Sequence, residues 1–193
     1  QKVEIIFERG AGNRSFFRDQ DFELAGAKPH ERDEVFTLAE CLVTVNPLTP
    51  EEITRWGDGR VLIGSLDPYN NELLIDQLVK NNITAFSLEL LPRTSLAQSM
   101  DVLSSMSTVS GYRAVLEAAM SLPRFFPMFM SAAGTIKPAR VMILGAGVAG
   151  LQAIATARRL GAVVEVFDVR AAVKEEVHSL GAKFIEVEGA VED

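Results

Sequence analysis

The run Val141-Met142-Ile143-Leu144 ends in Gly145-Ala146-Gly147-Val148-Ala149-Gly150, a G-x-G-x-x-G spacing that opens into a helical pattern. A carboxylate, Asp168, follows eighteen positions after Gly150, at the end of a second apolar run from Val163 to Phe167. Strand, glycine turn, helix and acid in this order form the fingerprint of a dinucleotide-binding unit. Each glycine has its own task. Gly145 permits the tight turn out of the strand, Gly147 lets backbone approach a pyrophosphate, and Gly150 lets the helix pack against the sheet. The helix opening at Val148 then offers free N–H groups and the positive end of its dipole to phosphates. Asp168 is placed to accept hydrogen bonds from both ribose hydroxyls and to repel a 2′-phosphate, which favours NAD. Arg170, just past Val169, blurs that preference because a nearby arginine tolerates NADP. With Arg170 facing solvent, NAD is the expected cofactor. The bland alternative, a chance glycine-rich turn, does not account for the flanking elements and the acid.

A second polar constellation lies upstream, in Leu91-Pro92-Arg93-Thr94-Ser95-Leu96-Ala97-Gln98-Ser99-Met100-Asp101-Val102-Leu103-Ser104-Ser105. It follows an expected strand, and in α/β folds ligands bind beyond the carboxyl ends of strands. Arg93, Gln98, Asp101, Ser104 and Ser105 together suit the orientation of a carboxamide and a ribose without acid–base chemistry. The residues alone equally fit a capped connection, with Ser95 or Ser99 as N-cap and Arg93 and Asp101 as a weak surface ion pair.

Around these two segments, apolar runs alternate with helical patterns nearly throughout. Strands are expected at Val3–Phe7, Leu42–Val45, Arg60–Gly64 and Ile83–Leu88. Helices are expected at Glu31–Ala39, from Pro50 with Thr49 as N-cap, and at Asn70–Val79. A longer helix runs from Ser104 to Leu122, weakened near Gly111 and stopped by Pro123. Residues 124–138 read as a loop packed between domains. The second α/β unit follows: strand 140–144, helix 148–160, strand 163–167, helix 171–180 and strand 183–187, with Gly161 and Gly181 at helix C-caps. The expected fold class is α/β: two Rossmann-like parallel-sheet domains flanking a cleft, the second truncated before its nicotinamide half. The division places an N-terminal α/β domain at 1–108, itself incomplete at its start. A linker helix and the first half of the NAD-binding domain occupy 109–193.

Composition narrows the function classes. The chain has 193 residues and a net charge of −7, which opposes binding to nucleic acid or an anionic membrane surface. No run approaches the roughly 18 apolar residues of a spanning helix. Cys41 stands alone, so neither a disulfide framework nor a thiolate metal site is expected. His30 and His178 each sit among charges and read as surface residues.

Taken together, these motifs resemble domain I, the NAD(H)-binding component of proton-translocating nicotinamide nucleotide transhydrogenase. The resemblance is carried by Pro92-Arg93, Ala97-Gln98-Ser99-Met100-Asp101, Leu103-Ser104-Ser105 and Gly111-Tyr112-Arg113-Ala114. Arg124-Phe125-Phe126-Pro127, Ala132-Ala133-Gly134-Thr135, the glycine fingerprint and Asp168-Val169-Arg170 extend it. Upstream, Glu8-Arg9-Gly10-Ala11-Gly12, Val45-Asn46-Pro47 and Leu66-Asp67-Pro68 match as well. The resemblance implies that Arg93, Gln98 and Asp101 lie beside the nicotinamide, with Gln98 reaching toward the nucleotide on a partner. It places Ser104 and Tyr112 near the same end, Gly145, Gly147 and Val148 at the pyrophosphate, and Asp168, Val169 and Arg170 at the adenosine ribose. It further implies hydride transfer to NADP+ held by domain III, coupling to a membrane domain II, a homodimer, and a cytoplasmic location peripheral to the inner membrane. Phe125 to Met130 suits either such a dimer or packing within one chain.

Alanine dehydrogenase resembles the same pattern. That enzyme needs a substrate lysine after a Val-Lys pattern and a histidine after a later strand. Here the corresponding segments read Val45-Asn46-Pro47 and Gly64-Ser65-Leu66-Asp67-Pro68. Oxidation of an amine needs a base, whereas direct hydride exchange needs two rings held in contact. The missing base therefore favours transhydrogenation over an amino-acid dehydrogenase. A third possibility, a dinucleotide sensor without chemistry, has no use for the polar segment at 93–104.

Overall fold

A computed structural model of the chain describes residues 3–92 and 94–187. The chain divides into two compact units, Gln1–Asp101 and Val102–Asp193. The α/β class expected from the alternating pattern is the class observed, and both units are built on parallel sheets.

In the first unit, β1 (Ile6–Glu8) pairs in parallel with β2 (Lys28–His30), a strand the apolar pattern does not reveal. Pro29 reads as a strand breaker, but among the described residues β2 bonds to a single neighbour, and proline is tolerated on such an edge. Helix α1 (Asp19–Leu24), also not expected, spans less than two turns, too short for apolar periodicity to register. Helix α2 (Arg32–Leu38) leads into β3 (Cys41–Thr44), followed by α3 (Pro50–Trp56), β4 (Val61–Gly64), α4 (Glu72–Lys80) and β5 (Thr84–Ser87). Strands β3, β4 and β5 form a parallel sheet in sequential order. Its buried residues, Leu42 and Leu62, pack with Ile53, Trp56, Leu74 and Leu78 into one core. The opposite face carries Val43 and Phe86, 71% and 56% exposed.

Local chemistry accounts for several boundaries. Thr49 caps α3 as expected: its hydroxyl accepts the Glu52 N–H at 3.3 Å, and the Glu52 carboxylate accepts the Thr49 N–H at 2.9 Å. Arg32 bridges Glu8 at the end of β1 and Glu52 in the first turn of α3. His30, expected at the surface, is partly buried and lies 3.2 Å from Glu34.

The second unit opens with α5 (Val102–Ser121), two residues earlier than the apolar pattern suggested. Residues 124–138, expected as a loop, contain an antiparallel hairpin, β6 (Phe129–Ser131) and β7 (Gly134–Ile136), whose residues are all exposed. Its three-residue strands are too short to show alternation, which is why the pattern read as irregular. Strand β8 (Arg140–Leu144), helix α6 (Val148–Arg159), strand β9 (Val163–Phe167), helix α7 (Lys174–Ser179) and strand β10 (Lys183–Phe184) complete the unit. The parallel order β10-β9-β8 is that of one mononucleotide-binding half. Its core centres on Val164 and Val166 of β9, with Ile154, Ala157 and Val177 from the helices.

Helix α6 ends as its sequence predicts. Gly161 takes a φ of +89° while its N–H reaches the Arg158 carbonyl and the Ala162 N–H reaches Ala157. Gly181 repeats the arrangement after α7, with bonds to His178 and from Ala182 to Val177. Among the described residues, no helix is long and apolar enough to cross a membrane.

Candidate functional site

The glycine turn and the acid are brought together at the carboxyl edge of β8 and β9. Gly145 leaves β8 with a φ of +94°, a conformation L side chains rarely adopt, and its N–H bonds to the Phe167 carbonyl at 2.8 Å. Gly147 is the N-cap of α6, and nothing lies within 4 Å of where a Cβ would stand, so the space above the turn is open. At Gly150 a Cβ would meet the Gly145 carbonyl oxygen at 1.9 Å. The third glycine therefore lets the helix close onto the turn itself. Val148, the first residue of α6, is 44% exposed beside it.

Asp168 stands directly after β9, buried, with its carboxylate turned back to the glycine turn. Its Oδ2 accepts the Ala146 N–H at 2.6 Å, which ties the acid to the turn across the two strands. Its Oδ1 accepts the Arg170 N–H at 2.9 Å. The Arg170 side chain then closes on the same group, Nε to Oδ1 and Nη2 to Oδ2, each at 3.0 Å. Arg170 was expected to face solvent. Its guanidinium remains half exposed, but it is clamped on the acid as a bidentate fork. The Arg170 hydrogen bonds hold the Asp168 carboxyl well below the usual carboxylate range; burial opposes this, and the Ala146 and Arg170 N–H groups reinforce it. Val169, between them, is 52% exposed.

The other expected site residues lie on the upstream segment and on α5. Arg93 falls outside the described residues. Gln98 begins a single 3-10 turn, Gln98–Met100, and is exposed. The turn is entered through Thr94, whose hydroxyl accepts the Ala97 N–H at 3.4 Å, so Thr94 rather than Ser95 or Ser99 supplies the local side-chain support. Ala97, just before this turn, is buried. Asp101 immediately precedes α5, Ser104 lies in its first turn, and Tyr112, 49% exposed, lies further along it.

One residue that pattern reading passed over organises the exits of β4 and β5. The Glu89 carboxylate accepts the backbone N–H groups of Leu66 and Asp67, each at 3.2 Å, and the Ser87 hydroxyl. Burial opposes its charge, but these donors hold the carboxyl below its ordinary value. Glu89 thus fixes the turn that carries Leu66-Asp67-Pro68, where Asp67 takes a φ of +47°. A lone glutamate after a strand carries no periodic signal that would mark it. Asn46 lies in a bend just past β3, exposed.

The alanine dehydrogenase/PNT N-terminal domain family matches residues 1–110, and the corresponding C-terminal domain family matches residues 114–192. An NAD(P) transhydrogenase alpha subunit chain from Rhodospirillum rubrum is 48% identical over 191 residues, covering 96% of this chain and 50% of that protein. The solved transhydrogenase from Sinorhizobium meliloti superposes with a TM-score of 0.89 at 49% identity, covering 95% of this chain and 55% of that one. A solved L-alanine dehydrogenase is more distant, with a TM-score of 0.80 at 26% identity, covering 97% of this chain and 53% of that one. The chain spans about half the length of these relatives. On matches that run through both units, this chain belongs to the alanine dehydrogenase/PNT family.

Proposed function

We propose that this chain is the NAD(H)-binding component of a transhydrogenase, taking part in direct hydride transfer between NADH and NADP+ held on a partner domain. The observation that carries the reading is the chemistry at the exits of β3 and β4. Asn46 and Gly64-Ser65-Leu66-Asp67-Pro68 stand where an amino-acid dehydrogenase needs a lysine and a histidine. Without that lysine and histidine, removal of a proton from an amine lacks the acid–base pair such an enzyme uses. Hydride exchange between two nicotinamides needs orientation instead. The similarity to transhydrogenase alpha subunits supports the same choice.

In this reading the second unit anchors the cofactor. Gly145, Gly147 and Val148 receive the pyrophosphate at the start of α6, and Asp168 receives the adenosine ribose, with Val169 and Arg170 flanking it. Arg93, Gln98 and Asp101 orient the carboxamide and ribose at the nicotinamide end, with Ser104 and Tyr112 beside them. The nicotinamide, when bound, supplies or accepts the hydride. The partners are an NADP(H)-binding domain III and a membrane domain II that couples the reaction to proton movement. A homodimer and a location peripheral to the inner membrane, on its cytoplasmic side, complete the proposal. The division into domains at 1–108 and 109–193 belongs to the same reading.

Gln98 gives the direct test. With the NADP(H)-binding partner added to the intact protein, Gln98→Asn is expected to slow hydride transfer by tenfold or more, since a shortened side chain misplaces the ring. Unchanged hydride transfer in Gln98→Asn would remove Gln98 from the site.

A further inference from the structure

The Asp168 carboxylate has no acceptor capacity to spare. A carboxylate offers about four lone-pair positions. Oδ1 already accepts the Arg170 N–H and Nε–H, and Oδ2 accepts the Ala146 N–H and the Arg170 Nη2–H. Two of these donors are backbone groups fixed by the glycine turn and by the turn after β9. The other two belong to one exposed, flexible side chain. A ribose diol that donates to both oxygens must therefore take the positions held by the guanidinium.

We propose that Arg170 is a displaceable lock on the ribose-binding acid: its fork occupies the acceptor positions of Asp168, and nucleotide binding must swing it out. The inference rests on the nucleotide reading above and adds a competition within it. The same fork bears on cofactor choice. While it is closed, the guanidinium is spent on Asp168 instead of being presented to a 2′-phosphate, so Arg170 opposes NAD binding without recruiting NADP. The lock is weak. The guanidinium is half exposed and screened by solvent, and an incoming diol replaces the two bonds it gives up. The competition therefore amounts to a few-fold in affinity rather than orders of magnitude.

The test is equilibrium titration of the intact protein with NAD+ and with an NAD+ analogue whose adenosine ribose lacks both hydroxyls. Arg170→Ala is expected to tighten NAD+ by about threefold to tenfold and to leave the analogue within about twofold, because only the diol competes with the fork. Arg170→Gln, which keeps most of the side-chain bulk, is expected to follow Arg170→Ala and guards against a folding artefact. An NAD+ affinity unchanged or weakened in both variants overturns the lock and leaves the nucleotide site standing. Equal tightening of NAD+ and the analogue also overturns it, since the diol would then play no part. Failure of the unsubstituted protein to bind NAD+ at all defeats the nucleotide reading, and the lock falls with it.

Discussion

Asp168 does two jobs with one carboxylate. Through Ala146 it fastens the end of β9 to the glycine turn, and through Arg170 it holds a counter-charge within bonding distance. Both interactions favour the ionised form, so its folded pKa lies below the unfolded value of about 3.9. The sign of the consequence follows from proton linkage. Near pH 3 the unfolded chain holds the proton and the folded chain does not, so stability falls as the pH falls below about 4. Above about pH 5 the group is ionised in both states and its contribution is constant. Denaturant titrations between pH 3 and 6 are expected to show a shallower acid-side loss in Asp168→Asn than in the unsubstituted protein. An identical slope would mean that Asp168 is not held below its ordinary range. The acid and its spacing were readable in the sequence. The closed Arg170 fork was not, because the rotamer of an exposed arginine leaves no trace in apolar periodicity.

Elements are set by a few backbone approaches as much as by apolar faces. In the sequence Gly111 reads only as a weak point near the start of a helix. In the fold it is buried in the middle of α5, where a Cβ would stand 2.1 Å from the Ala149 carbonyl oxygen of α6. Helix α5 packs on the helix of the glycine fingerprint through this contact. Alanine would raise intrinsic helix propensity by about 1 kcal/mol, but the two helices would have to part. Gly111→Ala is therefore expected to lower stability by about 1–3 kcal/mol, measured by denaturant unfolding; a stabilised variant would show that the contact relaxes freely. The strands and helices around β3, β4, β8 and β9 were legible because their apolar runs and caps agree locally, as at Thr49, Gly161 and Gly181. The β6–β7 hairpin and β2 were not, since three-residue strands fall below what alternation can show and Pro29 argues against a strand.

At the scale of the whole molecule, two parallel-sheet units share one chain, and the two halves of the family pattern match them in turn. The arrangement proposed as the nucleotide anchor was readable because it is local: one strand, one turn, one helix and one acid. The residues proposed for the nicotinamide end are a different case. Gln98 opens a three-residue 3-10 turn and Asp101 follows it, too short a stretch for any periodic signal, and only the family resemblance gave them roles. The proposed distinction between the two family activities lies at the exits of β3 and β4, where Asn46 and the Glu89-braced turn carry neither the lysine nor the histidine of an amino-acid dehydrogenase. The two activities are separated by supplying the intact protein with NADH and its NADP+-loaded partner, and separately with NAD+ and L-alanine, following nicotinamide absorbance in both. A transhydrogenase component is expected to give hydride transfer that depends on the partner and no NADH from L-alanine; NADH formed from L-alanine without any partner would make the chain an amino-acid dehydrogenase instead.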